Sequence, residues 1–265
     1  MQSLLSKFRH VILHLSYNII HLTRDDMQEK VIGILGGMGP EATLNCFEKI
    51  IRNTPAQSDP DHLPVIIINN PRVPDRIRAI LENGPSPLPA LIEGCSSLKK
   101  AGADFVIIPC VTAHYFLNEL QENVELPIIS IVDAVIEHIH NHHPQLKKIG
   151  LLATSVTIKS RIFQNSLTAS GIETVVCSEK VQQRVIAAIH DIKSNRTSRS
   201  REAITHDLTK VAGHLVERGA QGIIAACTEI PLALTQADVT VPYFDSLLIL
   251  ARAAICRAGR EPIGL

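Results

Sequence analysis

The stretch Ile32-Gly-Ile-Leu-Gly-Gly37 is a short apolar run that ends in two glycines. A similar stretch, Ile149-Gly-Leu-Leu-Ala-Thr154, follows it 117 residues later. Two further pairs repeat at the same offset: Gly102-Ala103 with Gly219-Ala220, and Cys110 with Cys227. One offset shared by three separate patches predicts a chain made of two duplicated halves.

Short runs rich in Val and Ile, without polar alternation, are typical of buried parallel strands. Eight such runs are predicted to be strands: Val31–Leu35, Val65–Ile68, Phe105–Ile108, Ile128–Ser130, Ile149–Leu152, Thr174–Cys177, Gly222–Ala225 and Val241–Phe244. Helical segments separate most of them: Glu41–Arg52, Pro89–Lys100, Val181–Lys193 and Ser200–Arg218. This alternation predicts an α/β fold of two similar domains, each with a four-stranded parallel sheet flanked by helices.

The predicted domains are an N-terminal extension (1–29), a first α/β domain (30–131 plus 244–265) and a second (132–243). Residues 1–26 mix apolar side chains with Lys, Arg and His, and they lack the apolar core and cleavage site of a secretory signal. Two interpretations stay open: an extension upstream of a natural start at Met27, or a helix that binds a membrane surface or a partner.

Composition excludes several classes of protein. The 265 residues carry 26 basic and 26 acidic side chains, so there is no electrostatic drive toward nucleic acid. No apolar run approaches the length of a membrane span. Six cysteines without a CxxC spacing are typical of reduced thiols, and we expect a cytoplasmic protein.

Cys110 and Cys227 each follow the third predicted strand of their half. Ligands of open parallel sheets bind beyond the carboxyl ends of the strands, so the two thiols are predicted to face each other across a cleft between the domains. A symmetric pair of acid/base groups suits racemisation, which removes a proton from one face of a carbon and returns one to the other. A helix N-terminus after each cysteine is expected to favour the thiolate.

Four segments together resemble the aspartate/glutamate racemase family, and its aspartate racemase branch in particular. They are Ile32–Thr43, Asn69-Asn-Pro-Arg-Val-Pro-Asp-Arg76, Pro109-Cys-Val-Thr-Ala-His114 and Ala226-Cys-Thr-Glu-Ile230. The resemblance extends from residue 31 to about residue 255. It implies a racemase that interconverts L- and D-aspartate without cofactor or metal, and we expect a homodimer.

The resemblance also assigns site residues. Cys110 and Cys227 are the implied pair of catalytic bases, each serving one enantiomer. The implied substrate contacts are Arg76 for the side-chain carboxylate, Lys193 as a second cation, and Met38, Thr112 and Thr228 around the substrate's backbone groups. At Val111 we expect the backbone amide, together with that of Thr112, to bind the carboxylate. The family typically has Asn where this chain has Val111, so two alternatives stay open: a racemase of glutamate or a broader range of amino acids, and a protein that binds acidic amino acids without turning them over.

Three other features receive more modest interpretations. Gly36-Gly37-Met-Gly39 lacks the spacing of a nucleotide-binding loop, and its amides are expected to approach a small anion. The histidines between His138 and His143 are interpreted as a polar helix end rather than a metal site. His114 is expected to have a structural role next to the site rather than to transfer a proton.

Overall fold

The computed structural model describes residues 29–194 and 197–264. The predicted N-terminal extension therefore lies outside the described residues except for Glu29. Within the described ranges, every helix is too short or too polar to span a bilayer.

Within residues 29–194 and 197–264, eight parallel strands form two sheets of four. The first sheet contains β1 (Ile32–Gly36), β2 (Val65–Asn69), β3 (Phe105–Ile107) and β4 (Ile128–Ile129), in the order β2-β1-β3-β4. The second contains β5 (Lys148–Ala153), β6 (Glu173–Val175), β7 (Gly222–Ala226) and β8 (Tyr243–Asp245), in the order β6-β5-β7-β8. The two orders are identical, which confirms the predicted fold class of two similar α/β domains.

Ten α-helices connect and cover the strands in the described residues. They are α1 (Pro40–Asn53), α2 (Arg76–Leu81), α3 (Leu88–Lys100), α4 (Leu117–Asn123), α5 (Ile131–His142), α6 (Ser155–Lys159), α7 (Ile162–Ala169), α8 (Glu179–Lys193), α9 (Arg201–Glu217) and α10 (Ser246–Arg257). Four 3₁₀ helices lie at Asp59–Asp61, Val111–Phe116, Ile230–Leu232 and Gln236–Asp238.

A central apolar cluster joins the two sheets. It contains Ile32 and Ile107 of the first sheet, Ile149 and Ile224 of the second, Ile50 of α1, Val135 of α5, Leu167 of α7 and Leu250 of α10. Each sheet also has its own outer cluster, since Leu35 and Val106 pack with Leu91 and Leu98 of α3, whereas the second sheet packs against α8 and α9. Both sheets are thus covered on both faces, as unbroken apolar strands require.

The chain crosses between the halves twice. After β4, helix α5 packs against α10, and β5 then begins the second sheet. β8 completes the second sheet as far as Asp245, and α10 then packs against α1 of the first half. The domain boundaries at residues 131/132 and 243/244 stay a proposal.

The turn after β1 is fixed by one threonine. Thr43 Oγ1 accepts a hydrogen bond from the Gly37 amide at 2.9 Å and donates one to the Gly39 carbonyl at 3.0 Å. The expectation that the amides of this turn approach an anion is therefore wrong for Gly37, because its N–H already has a partner. Gly37 has a φ of +98°, and a Cβ there would lie 2.3 Å from the backbone of Asn70.

His114 connects the turn after β3 to the start of α5. Its Nδ1 lies 2.9 Å from the Cys110 carbonyl oxygen, and its Nε2 accepts a hydrogen bond from the Ile131 amide at 3.0 Å. Nδ1 therefore carries the proton, and the ring is neutral. Burial lowers the pKa of His114, against the weaker opposing effects of the Cys110 and Ile129 backbone groups and of the Asp133 charge. Because both ring nitrogens are occupied, the histidine supports the turn, as predicted.

We predict that Gly37→Ala lowers the free energy of unfolding by about 2–5 kcal/mol, since the substitution combines a left-handed φ with a backbone clash. Gly102 is the matched control because it has the same φ of +98° but nothing within 4 Å of an added Cβ. Gly102→Ala should cost only about 1–2 kcal/mol. Urea unfolding measures both, and equal losses would show that the approach to Asn70 is not what requires glycine.

We predict that His114→Gln weakens the pH dependence of stability. A lowered pKa in the folded state means that the unfolded chain binds the proton more readily, so this contribution is present above pH ~6.5 and is lost as the pH falls below it. The variant should be less stable than the wild type at pH 8, with a smaller difference at pH 5. Urea unfolding from pH 5 to 8 tests this, and a difference that is constant across this range would contradict it.

Candidate active site

One small cavity, of about 50 Å³, lies between the two halves of the fold. All eight residues that the sequence predicted for the site line it: Met38, Arg76, Cys110, Val111, Thr112, Lys193, Cys227 and Thr228. Asp75, Ile77, Thr154 and Glu229 complete the lining. The structure therefore brings together every predicted site residue, and their individual roles remain proposals.

The two thiols reach the cavity from equivalent positions. Cys110 follows β3 and Cys227 follows β7, and each residue is only 6% exposed. The expectation of a helix N-terminus after each cysteine is wrong for Cys227. Only the three-residue 3₁₀ helix Ile230–Leu232 follows it, whereas Cys110 is followed by a longer 3₁₀ helix that continues into α4. A helix dipole of useful size therefore does not act on Cys227.

Cys227 instead has a carboxylate beside it. Its Sγ donates a hydrogen bond to Glu229 Oε2 at 2.9 Å. The other oxygen of this carboxylate, Oε1, lies 3.2 Å from Lys193 Nζ at the end of α8. Glu229 is only 3% exposed, so the thiol, carboxylate and ammonium form a short chain across the wall of the cavity.

The thiol of Cys227, the carboxylate of Glu229 and the ammonium of Lys193 influence one another's pKa values. Burial raises the pKa of Cys227 well above its ordinary value, the Glu229 carboxylate raises it further, and Lys193 opposes both. Burial by itself lowers the pKa of Lys193, but the Glu229 carboxylate, together with the thiolate forms of Cys227 and Cys110, raises it above its ordinary value. At neutral pH the structure therefore holds a protonated Cys227 and a charged Lys193.

Arg76 is the first residue of α2, and its side chain is braced by its own loop. Its Nη1 donates to the carbonyl oxygens of Val73 and Pro74 at 3.2 and 3.1 Å. Its Nε is buried and has no hydrogen-bond partner. A buried N–H without a partner is costly unless a ligand supplies the acceptor, and a carboxylate is an acceptor that suits a guanidinium.

Hydroxyl groups of residues that line the cavity join the two halves. Thr228 Oγ1 of the second half donates to the Pro109 carbonyl of the first at 3.2 Å. Thr112 Oγ1 lies 3.4 Å from Thr157 Oγ1, which is 2.9 Å from Thr154 Oγ1. These contacts fix the two cysteine turns relative to each other.

Val111 lies at the boundary between the cavity and the central apolar cluster. It lines the cavity, but it is also 2% exposed and belongs to the central apolar cluster. An asparagine amide at this position would need polar partners, because unpaired polar groups are costly in an apolar core. Valine thus suits the packing of this chain and leaves one polar group fewer in the site.

The cavity that touches both thiols is too small for a whole amino acid, since its volume suits only a few water molecules. A larger cavity of about 480 Å³ adjoins it and shares Met38, Asp75, Arg76, Lys193 and Glu229 with it. The rest of its wall comes mainly from the Gly37–Glu41 turn. A molecule of amino-acid size fits only the larger cavity, and it could reach both thiols only if the inner cavity widened.

Sequence analysis assigned no role to Glu229, which lies immediately before the 3₁₀ helix Ile230–Leu232. The structure shows no capping hydrogen bond from this side chain. The available signal was the spacing Cys227-Thr-Glu229, which places a carboxylate two residues from a candidate base. Asp75 and Thr154 carried no comparable signal, because their approach to the cavity depends on the packing of distant segments.

Two of the other thiols are packing residues. Cys46 lies in the central cluster and Cys95 in the outer cluster of the first sheet, and burial raises their pKa values to about 12 and about 11.

His138 contacts the rings of His142, His143 and Phe244. Across the described part of the chain, no three or more His, Cys, Asp or Glu side chains are grouped to hold a metal ion.

Comparison with known proteins gives a consistent result. The broad specificity amino-acid racemase RacX of Bacillus subtilis is 32% identical over 229 residues, which cover 85% of this chain and 96% of that protein. The structure of Picrophilus torridus aspartate racemase superposes with a TM-score of 0.78 at 31% identity, covering 88% of this chain and 96% of that one. An aspartate racemase homologue from Pyrococcus horikoshii gives a TM-score of 0.70 at 28% identity, covering 87% and 100%.

The family profile described as Asp/Glu/Hydantoin racemase matches residues 35–254. That match spans the end of β1, the seven other strands of the described residues, both cysteine turns and most of α10. Together with the cavity that both thiols line, it leads to one conclusion: the chain belongs to the Asp/Glu/hydantoin racemase family.

Proposed function

We propose that this protein interconverts L- and D-aspartate by a two-base mechanism in which Cys110 and Cys227 are the bases. The observation that carries the proposal is that one cavity is lined by both thiols and by two cationic side chains, Arg76 and Lys193. Membership of a racemase family supports the reaction class. The choice of aspartate rests on the chemistry of the cavity wall.

In the proposed reaction one cysteine, as thiolate, removes the α-proton, and the other, as thiol, delivers a proton to the opposite face. The two thiols exchange roles for the other enantiomer. The α-proton is weakly acidic, so charge that develops toward the α-carboxylate must be stabilised by fixed donors as the proton leaves. A cavity from which water is excluded strengthens such donors and holds the α-carbon close to both sulfur atoms.

Aspartate suits the cations that the cavity offers. The free Nε–H of Arg76 is an available donor for the side-chain carboxylate. Lys193 is a second cation, although in this structure it is paired with Glu229. A substrate carboxylate that binds Lys193 would compete with Glu229 for the ammonium.

A broader substrate range is the second candidate. Val111 contributes an apolar side chain where a polar contact would select for an acidic substrate, and the adjoining cavity of about 480 Å³ is roomier than aspartate requires. The similarity to RacX, which is described as having broad specificity, points the same way. Binding of acidic amino acids without turnover is the remaining alternative. The homodimer and the cytoplasmic location stay predictions.

We predict that Cys110→Ser and Cys227→Ser each slow racemisation of aspartate by about 10²–10⁴-fold, because serine is too weakly acidic to act as the base at neutral pH. Serine at position 227 can still donate to Glu229, so the comparison separates acidity from packing. The measurement is incorporation of α-deuterium into L-Asp and D-Asp separately, in D₂O.

Each single variant should retain exchange with one enantiomer only, and the two variants should prefer opposite enantiomers. Cys46→Ser is the matched control, since that thiol lies in the core, and it should racemise at the wild-type rate if it folds. Wild-type racemisation by either cavity variant would contradict the paired-thiol mechanism. Aspartate that binds to the wild type without exchange would favour the non-catalytic alternative.

We predict that Arg76→Lys lowers kcat/KM for aspartate at least tenfold but changes kcat/KM for alanine little, since alanine has no side-chain carboxylate for the planar guanidinium to bind. Initial rates with both amino acids measure the change in kcat/KM for each. Arg78→Lys, on the exposed face of the same helix, is the control. Equal losses for aspartate and alanine would indicate that Arg76 holds a group common to all amino acids, which favours the broader substrate range.

A further inference from the structure

We propose that Glu229 is a positioning residue that keeps the proton on Cys227 in the free protein, so that Cys110 is the thiol poised to act first as base. The consequence for catalysis rests on the proposed function. The statement about the proton rests only on the geometry around Cys227 and can be tested without any substrate.

The contacts around Glu229 leave little freedom. Its Oε2 accepts the hydrogen bond from Cys227 Sγ at 2.9 Å, and the Thr228 hydroxyl lies 3.5 Å from the same oxygen. Its Oε1 faces Lys193, and a Cβ on Gly39 would lie 3.6 Å from that oxygen. The turn of the first half thus closes over the carboxylate, which holds Oε2 against the sulfur.

A carboxylate in contact with a thiol disfavours the thiolate, because two anions would then share a site that little water reaches. The thiol, by contrast, gains a charge-assisted hydrogen bond. Lys193 offsets part of this effect, but its charge is already engaged by the same carboxylate, and its side chain is 41% exposed. The balance favours the proton on Cys227.

The first half has no carboxylate at the equivalent position. Thr112 occupies the position equivalent to Glu229, two residues after Cys110, and its hydroxyl faces Thr157. The two halves therefore share a backbone design but differ in charge at this one position. The difference makes the thiols chemically unequal before any substrate arrives.

The other charged groups around the cavity do not restore the symmetry. Arg76 and Asp75 come from the start of α2, and both line the inner and the outer cavity. Glu41 lies on the wall of the outer cavity alone. In the described residues, Glu229 is the one carboxylate for which a hydrogen bond from a cavity thiol is observed.

This inequality has a specific kinetic signature. The equilibrium constant of a racemisation is one, so kcat/KM must be equal in both directions whatever the protonation of the free protein. The preference for a protonated Cys227 therefore cannot appear as a difference between the kcat/KM values of the two directions. It must appear in the titration of the individual thiols.

The test is the pH dependence of alkylation by iodoacetamide, measured for each cysteine by mass spectrometry between pH 6 and 10. Comparing each thiol with itself across pH removes the effect of limited access. Glu229→Gln should lower the midpoint for Cys227 by at least one pH unit, so that it reacts about tenfold faster at pH 7.5. The midpoint for Cys110 should move much less.

Two variants make the result specific. Glu41→Gln removes a carboxylate from the same cavity system without touching a thiol, and it should leave both midpoints unchanged. Glu229→Asp withdraws the carboxylate by one methylene and should give a smaller shift in the same direction as Gln, and it carries the test if Glu229→Gln does not fold. An unchanged midpoint for Cys227 would overturn the proposal. A higher midpoint would also overturn it, since Glu229 would then be accepting the thiol proton.

No substrate is present in these measurements, so their outcome is independent of whether the protein racemises aspartate. A lowered Cys227 midpoint together with no racemase activity would support this inference and contradict the proposed function. Activity on aspartate with an unchanged midpoint would do the reverse.

Discussion

Side chains from both four-stranded sheets meet in one apolar cluster, and this shared packing determines how the carboxyl ends of β3 and β7 face each other. Burying a large aliphatic side chain contributes about 1.5–3 kcal/mol, so a cluster built from two sheets and the helices α1, α5, α7 and α10 resists separation of the halves. The thiols at the strand ends are held at their places by that layer. The threonine contacts across the interface then set the finer alignment of the two turns.

A duplicated fold provides symmetric positions but does not by itself provide symmetric chemistry. Cys110 and Cys227 occupy equivalent places and are equally buried, yet their surroundings differ in charge. The equivalent of Glu229 is a neutral threonine, and the α-helix that follows one cysteine turn has no counterpart after the other. Divergence of one half from the other can therefore change the surroundings of each thiol separately while the scaffold stays unchanged.

Under the proposed function, the ion pair between Lys193 and Glu229 also bears on how a substrate would enter. In the described structure this ammonium already faces a carboxylate at 3.2 Å, as it would in a complex with an acidic amino acid. The inner cavity holds only about 50 Å³, whereas the adjoining one holds about 480 Å³. Exchange of the internal carboxylate for an external one, together with widening of the inner cavity, would link recognition of a substrate to access to the thiols.

The sequence by itself determined the α/β class, the duplication and the eight strands, because buried parallel strands leave a local apolar pattern and a shared offset of 117 residues needs no structure to be seen. The family resemblance identified eight residues that line one cavity. Tertiary structure alone decided the surroundings of the thiols: the carboxylate beside Cys227, the missing helix after it, and the amide of Gly37 already bound to Thr43. These features depend on contacts between segments far apart in the chain and on burial, which sets the strength of charge interactions, and neither is encoded in a local pattern of residues.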